Sequence, residues 1–75
     1  MNYAEYIASD ASVLLGKPVI KGTRITVGLI ILRLSEGATT TQLLEAYPSL
    51  TQEAVLAALA YASDVISNEQ VIAVA

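Results

Sequence analysis

At Val27 the spacing of the apolar residues changes, and that change limits what the chain can fold into. Val27, Ile30, Ile31 and Leu34 recur at i, i+3, i+4 and i+7, the face of a helix. Gly37 supplies a stop, because glycine readily takes the left-handed backbone that follows a last helical turn. Thr39, with Gln42 three residues on, reads as a capping box opening a second helix that buries Leu43, Leu44 and Tyr47. Pro48 ends it, since the residue before a proline avoids helical geometry. Thr51 is the expected N-cap of a third helix, and Leu50 and Val55 have the spacing of a hydrophobic staple across it. Val55, Ala58, Leu59, Ala62 and Ile66 form its expected core stripe. Helices two and three, with the turn at Pro48 to Thr51, have the proportions of a helix-turn-helix.

Before Val27 the pattern is one of short strands and turns. Tyr6-Ile7-Ala8 reads as a brief strand, and Ser9 or Asp10 as the cap of a short helical turn through Leu14. Val19-Ile20-Lys21 and Arg24-Ile25-Thr26 flank Gly22-Thr23, and glycine at the first central position of a two-residue loop predicts a type II′ hairpin. In that register Lys21 faces Arg24, Ile20 faces Ile25 and Val19 faces Thr26. The expected fold is α+β, mostly α: a short N-terminal β-hairpin on a three-helix, helix-turn-helix-like core. The chain reads as one domain over 1–75, with strands and hairpin in 1–27, the helices in 28–67 and a tail in 68–75. Gln70 to Val74, including Val71 and Ile72, could add as a strand to another chain's sheet edge. A strand covering this domain's own hairpin, or a frayed end, is the alternative.

Seventy-five residues bury only about 60% of their unfolded surface. With 55% of the residues hydrophobic, part of that apolar surface is expected to face another copy of the chain. Leu29 and Leu32, which lie off the first helix's stripe, and Leu56, Ala60 and Tyr61 are the candidate surface. The longest apolar run is Ala54 to Ala62, about half what a membrane span needs, so no membrane partner is expected. The first ten residues carry no secretory pattern.

The chain contains no cysteine and no histidine, which removes thiolate nucleophiles, the commonest general base and the commonest metal ligand. The carboxylates at Glu36, Glu45, Glu53 and Asp64 fall at helix ends or on outward faces. No enzyme, no cofactor and no metal site is expected. The cations are the distinctive feature. Residues 1–33 carry four bases against two acids, a net of +2, and residues 34–75 carry five acids and no base, a net of −5. Three of the four bases, Lys17, Lys21 and Arg24, lie in the single stretch GKPVIKGTRITV. Like charges directly opposite on a hairpin cost up to roughly 1 kcal/mol, a cost that an anion held between Lys21 and Arg24 would offset. Solvated cations that keep an apolar domain soluble are the other reading of the same residues.

The words GKPVIKGTRI, YPSLT and AALAYA, at their spacing, resemble a bacterial family, protein of unknown function family 433, related to VapB-type antitoxins. The likeness runs from about Ile7 to Ala62. Two residues depart from it: Leu15, where such proteins usually have a second glycine, and Thr26, where they usually have proline. The resemblance implies a β-hairpin on a three-helix, homeodomain-like or winged helix-turn-helix core, in a bacterial cytoplasmic protein. It also implies an antitoxin to a PIN-like ribonuclease toxin, with autoregulatory DNA binding. Such a nuclease holds its metal with carboxylates, which Lys21 or Arg24 would engage. The alternative is a stand-alone, oligomeric DNA-binding regulator. Thr51, Gln52 and Arg33 are the candidate DNA contacts, and glutamine can read adenine. Helices two and three carry no base for phosphates, however, so the isolated protein is expected to bind DNA weakly.

Overall fold

The computed structural model describes residues 1–68. It shows three helices and a two-stranded antiparallel hairpin near the N-terminus. Strand β1 (Ile7–Ala8) pairs with β2 (Val19–Ile20), placing Ile7 opposite Ile20 and Ala8 opposite Val19. Helices α1 (Val27–Ser35), α2 (Thr40–Ala46) and α3 (Gln52–Ser67) follow.

The helix boundaries are set by local hydrogen bonds, at Thr39, Thr51 and Gly37 as the sequence suggests and at Thr26, which the sequence reading placed in a hairpin strand. Thr26, Thr39 and Thr51 are the three N-caps, their hydroxyls accepting from the amides of Leu29, Gln42 and Ala54. At α2 the box is complete, because the Gln42 side chain accepts from the Thr39 amide at 2.8 Å. Gly37 follows α1 at φ +97°, and the amides of Gly37 and Ala38 donate to the carbonyls of Leu34 and Arg33. That is the Schellman pattern, which needs a residue tolerant of positive φ.

The core joins the strands to all three helices through Ile20, Val27, Ile30, Leu43, Leu50, Ala54, Val55 and Ala58. Among the described residues every buried side chain is apolar. The staple pair Leu50 and Val55 are both buried. On α3 the buried face differs from the expected stripe. Val55 and Ala58 are buried, but Leu59 is 42% and Ile66 65% exposed, while Ala54 and Ala57 are buried instead. The helix turns its alanines inward, where a small side chain lets neighbouring backbones come close, and leaves its leucines outward.

The N-terminal third departs further. Val19 and Thr26 do face each other, but as a single bridge and not as part of a second strand pair. Gly22, at φ +77°, takes the third position of a turn closed by the Thr23 amide on the Ile20 carbonyl at 3.0 Å. The Thr23 hydroxyl donates to the same carbonyl and accepts from the Ile25 amide, standing in for ladder bonds. The loop therefore spans residues 21–24, and the chain's regular hairpin partner for β2 is β1. The helical turn expected through Leu14 stops at Val13, whose amide donates to the Asp10 carbonyl. Leu14 and Leu15 then take positive φ, +49° and +58°, ahead of Gly16.

Candidate partner-binding site

The three clustered cations are all exposed, but the fold divides them. Lys21 and Arg24 share the 21–24 loop. Its backbone is fixed by the Thr23 bonds and by the Lys21 amide, which donates to the Tyr6 carbonyl of the β1 side at 2.8 Å. Lys17 sits at the other end of β2, four residue steps away, about 13 Å along an extended chain. It follows the left-handed turn at Leu14–Gly16 and precedes Pro18, whose ring holds it extended (φ −63°, ψ 140°). Because the loop holds four residues, Lys21 and Arg24 are not the closing pair of a ladder, which eases the repulsion a two-residue turn would impose. Among the described residues none of the three makes an ion pair.

Arg33 is placed differently. It is half-buried near the end of α1, and its guanidinium lies 2.9 Å from the Glu36 carboxylate. The Tyr47 phenol, first, and the Glu36 carboxylate raise its pKa, so its charge is engaged at the junction of α1 and α2. Of the other candidate DNA contacts, Gln52 is exposed, whereas the Thr51 hydroxyl is occupied in capping α3.

The candidate self-association residues also separate. Leu29, Leu32 and Tyr61 converge on an apolar groove of about 650 Å³ between α1 and the C-terminal half of α3; Leu56 is exposed but lies outside it. Lys17 stands at the groove's wall. Tyr61 is also held from the N-terminus by an edge-on Tyr3 ring, 5.5 Å between centroids, whose hydroxyl donates to Asp64. Val71 and Ile72 lie outside the described residues. Val65, a groove residue the sequence reading passed over, lies four residues after Tyr61 and so on the same helix face, which is the signal that points to it.

A small, mostly helical α+β domain with a hydrogen-bonded basic loop beside its hairpin is the class these features define. The family model for protein of unknown function (DUF433) matches residues 7–62, and the chain belongs to that family. It is similar to a crystal structure of a family member from Anabaena variabilis ATCC 29413, with 31% identity and a TM-score of 0.79, covering 88% of this chain and 69% of that one. No curated protein matches. The two departures from the family pattern now have a local meaning. Leu15 occupies left-handed backbone that glycine adopts freely. Thr26 has φ −77°, within proline's range, and the bridge to Val19 is closed by the amides of Ile20 and Val27 rather than its own. Proline fits that backbone, and threonine adds a capping oxygen.

Proposed function

We propose that this chain is an antitoxin of a bacterial type II toxin-antitoxin system. It acts in the cytoplasm as a homo-oligomer, by binding rather than catalysis, and neutralises a PIN-like ribonuclease. The observation that carries this reading is the Lys21–Arg24 loop: two exposed cations on a backbone fixed at both ends. A pre-organised loop loses little entropy on binding. Arginine engages a carboxylate through two parallel bonds, and lysine adds a point charge. A carboxylate cluster that holds a catalytic metal is an anion of the right kind, and occupying it would displace metal or block RNA.

A stand-alone oligomeric helix-turn-helix regulator is the second reading, favoured by the same exposed cations, which a β-ribbon can bring to phosphates. Against it stand two helices with no base in them and a capping Thr51 at the start of the would-be recognition helix. The test is capture of tagged full-length protein from its native host at two salt concentrations, with co-purifying species identified by mass spectrometry. A small nuclease in stoichiometric amount supports the antitoxin reading. Salt-sensitive nucleic acid alone, with affinity for its own promoter DNA tighter than about 100 nM at physiological salt, would replace it with the regulator.

A further inference from the structure

Three consecutive residues, Leu14, Leu15 and Gly16, have positive φ, +49°, +58° and +79°. Glycine adopts that backbone freely, whereas leucine's Cβ crowds the following carbonyl oxygen there. Burial does not offset the strain at Leu15. It is 93% exposed and Leu14 38%, and among the described residues neither joins the core or the side chains packed against it. The conformation is nonetheless fixed. The Gly16 amide donates to the Val13 carbonyl at 3.0 Å and the Lys17 amide to the Leu14 carbonyl at 3.2 Å. The Ser9 hydroxyl donates to the Gly16 carbonyl. The turn thus holds one large apolar side chain in solvent, at a position whose backbone favours glycine. Strain that core packing does not explain points to a binding role.

We propose that Leu15 is the apolar anchor of the partner interface, entering a leucine-sized apolar pocket whose rim carries a carboxylate for Lys17. Two observations point to this occupant. Lys17 is exposed two residues after Leu15, about 7 Å along an extended chain, so the pocket and the acidic group lie side by side. Strand β2 then joins this turn to the Lys21–Arg24 loop, about 13 Å further on, which keeps both ends well inside one interface of ordinary size. A second copy of the chain fits less well, because a two-fold contact at the turn would set Lys17 against Lys17. The proposal rests on the antitoxin reading for the partner's identity, a PIN-like ribonuclease, and adds a contact that reading lacks. Exposed cations steer and orient a partner, but salt screens them. A side chain desolvated in a pocket contributes at any ionic strength.

The test captures the nuclease from native-host extract on tagged full-length protein at two salt concentrations. The ratio of nuclease to bait is measured by quantitative mass spectrometry. Leu15→Asn removes the apolar side chain and suits the backbone, since asparagine tolerates positive φ. It should melt no lower than the parent and capture about tenfold less nuclease, or lower still, at both salt concentrations. Leu15→Met, still apolar, should keep most of the capture. Lys21→Ala with Arg24→Ala should instead lose capture chiefly at low salt. Equal capture by Leu15→Asn and the parent overturns the proposal and leaves the antitoxin reading standing. Equal loss in Leu15→Met and Leu15→Asn also overturns it, because the partner would then not be reading apolar bulk. So does loss of self-association in Leu15→Asn by analytical ultracentrifugation, which would assign the turn to a second copy. A parent that captures no nuclease overturns the reading and the proposal together.

Discussion

Residues 27–61 supply most of the buried core and residues 1–26 most of the polar turns, and the difference separates what keeps this protein folded from what it offers a partner. The helical part closes over a wholly apolar interior, with Ile30, Leu43 and Val55 almost completely buried. The N-terminal part sends Val19 and Ile20 into that same interior, but its strands have two residues each and the rest of it is polar turns: Asp10 to Ser12, Ser9 to the Gly16 carbonyl, Thr23 to Ile20 and Ile25. Three of the four bases are placed on this second part, and its turns fix where they stand. Stability resides mainly in one region and the candidate recognition chemistry in the other.

The contrast breaks most directly in the core. Ile30→Ala or Leu43→Ala should cost about 2–5 kcal/mol, enough to unfold much of a domain this small at 37 °C, as thermal melts followed by circular dichroism would read. A loss under 1 kcal/mol would mean that the helices do not carry the stability. Removing a cap is milder: Thr39→Ala takes one half of the α2 box and should cost about 1 kcal/mol in urea unfolding.

The helices were largely legible in the sequence because their signals are local. Thr39 with Gln42, Thr51, Gly37 and Pro48 act within four residues of themselves, and the structure uses each of them as its spacing suggests. The α3 face was less legible, because a run of alanines and leucines offers two stripes and only the neighbours decide which turns inward. The hairpin was misread at Gly22 for a different reason. A glycine with positive φ serves the second or the third position of a turn, and the Thr23 side chain, which bonds Ile20 and Ile25, selects the third. The grouping of the cations was half legible: Lys21 and Arg24 share a loop, but sequence proximity concealed that β2 sets Lys17 apart.

Smaller effects sharpen the same contrast in the N-terminal part. Leucine in left-handed backbone costs about 1–2 kcal/mol, and glycine's extra freedom in the unfolded chain costs roughly 0.5–1. Leu15→Gly should therefore stabilise the fold by about 0.5–1 kcal/mol and raise Tm by a few degrees. It would also remove a side chain that is 93% exposed. An unchanged or lower Tm would show that the turn at Leu14–Gly16 is not strained. The smallest effect is in acid. Bonds from the Ser12 amide, first, and hydroxyl hold the Asp10 carboxyl below its usual range. A lowered folded-state pKa gives stability that is present above the unfolded value and lost as pH falls through the folded one. Asp10→Ala should thus narrow the difference in Tm between pH 5 and pH 2 slightly and leave the pH dependence of melting above pH 5 unchanged.

The most direct test of the account reads stability and binding together in one variant of the N-terminal part. Lys21→Ala with Arg24→Ala changes only exposed side chains, so melting should stay within about 0.5 kcal/mol of the parent and self-association by analytical ultracentrifugation should not change. Calorimetric titration against the nuclease that the proposed function requires, once captured, should then show affinity reduced at least tenfold, with a weaker salt dependence. Unchanged affinity in a folded, normally associated variant would contradict the central claim that the basic loop is the surface through which this protein acts.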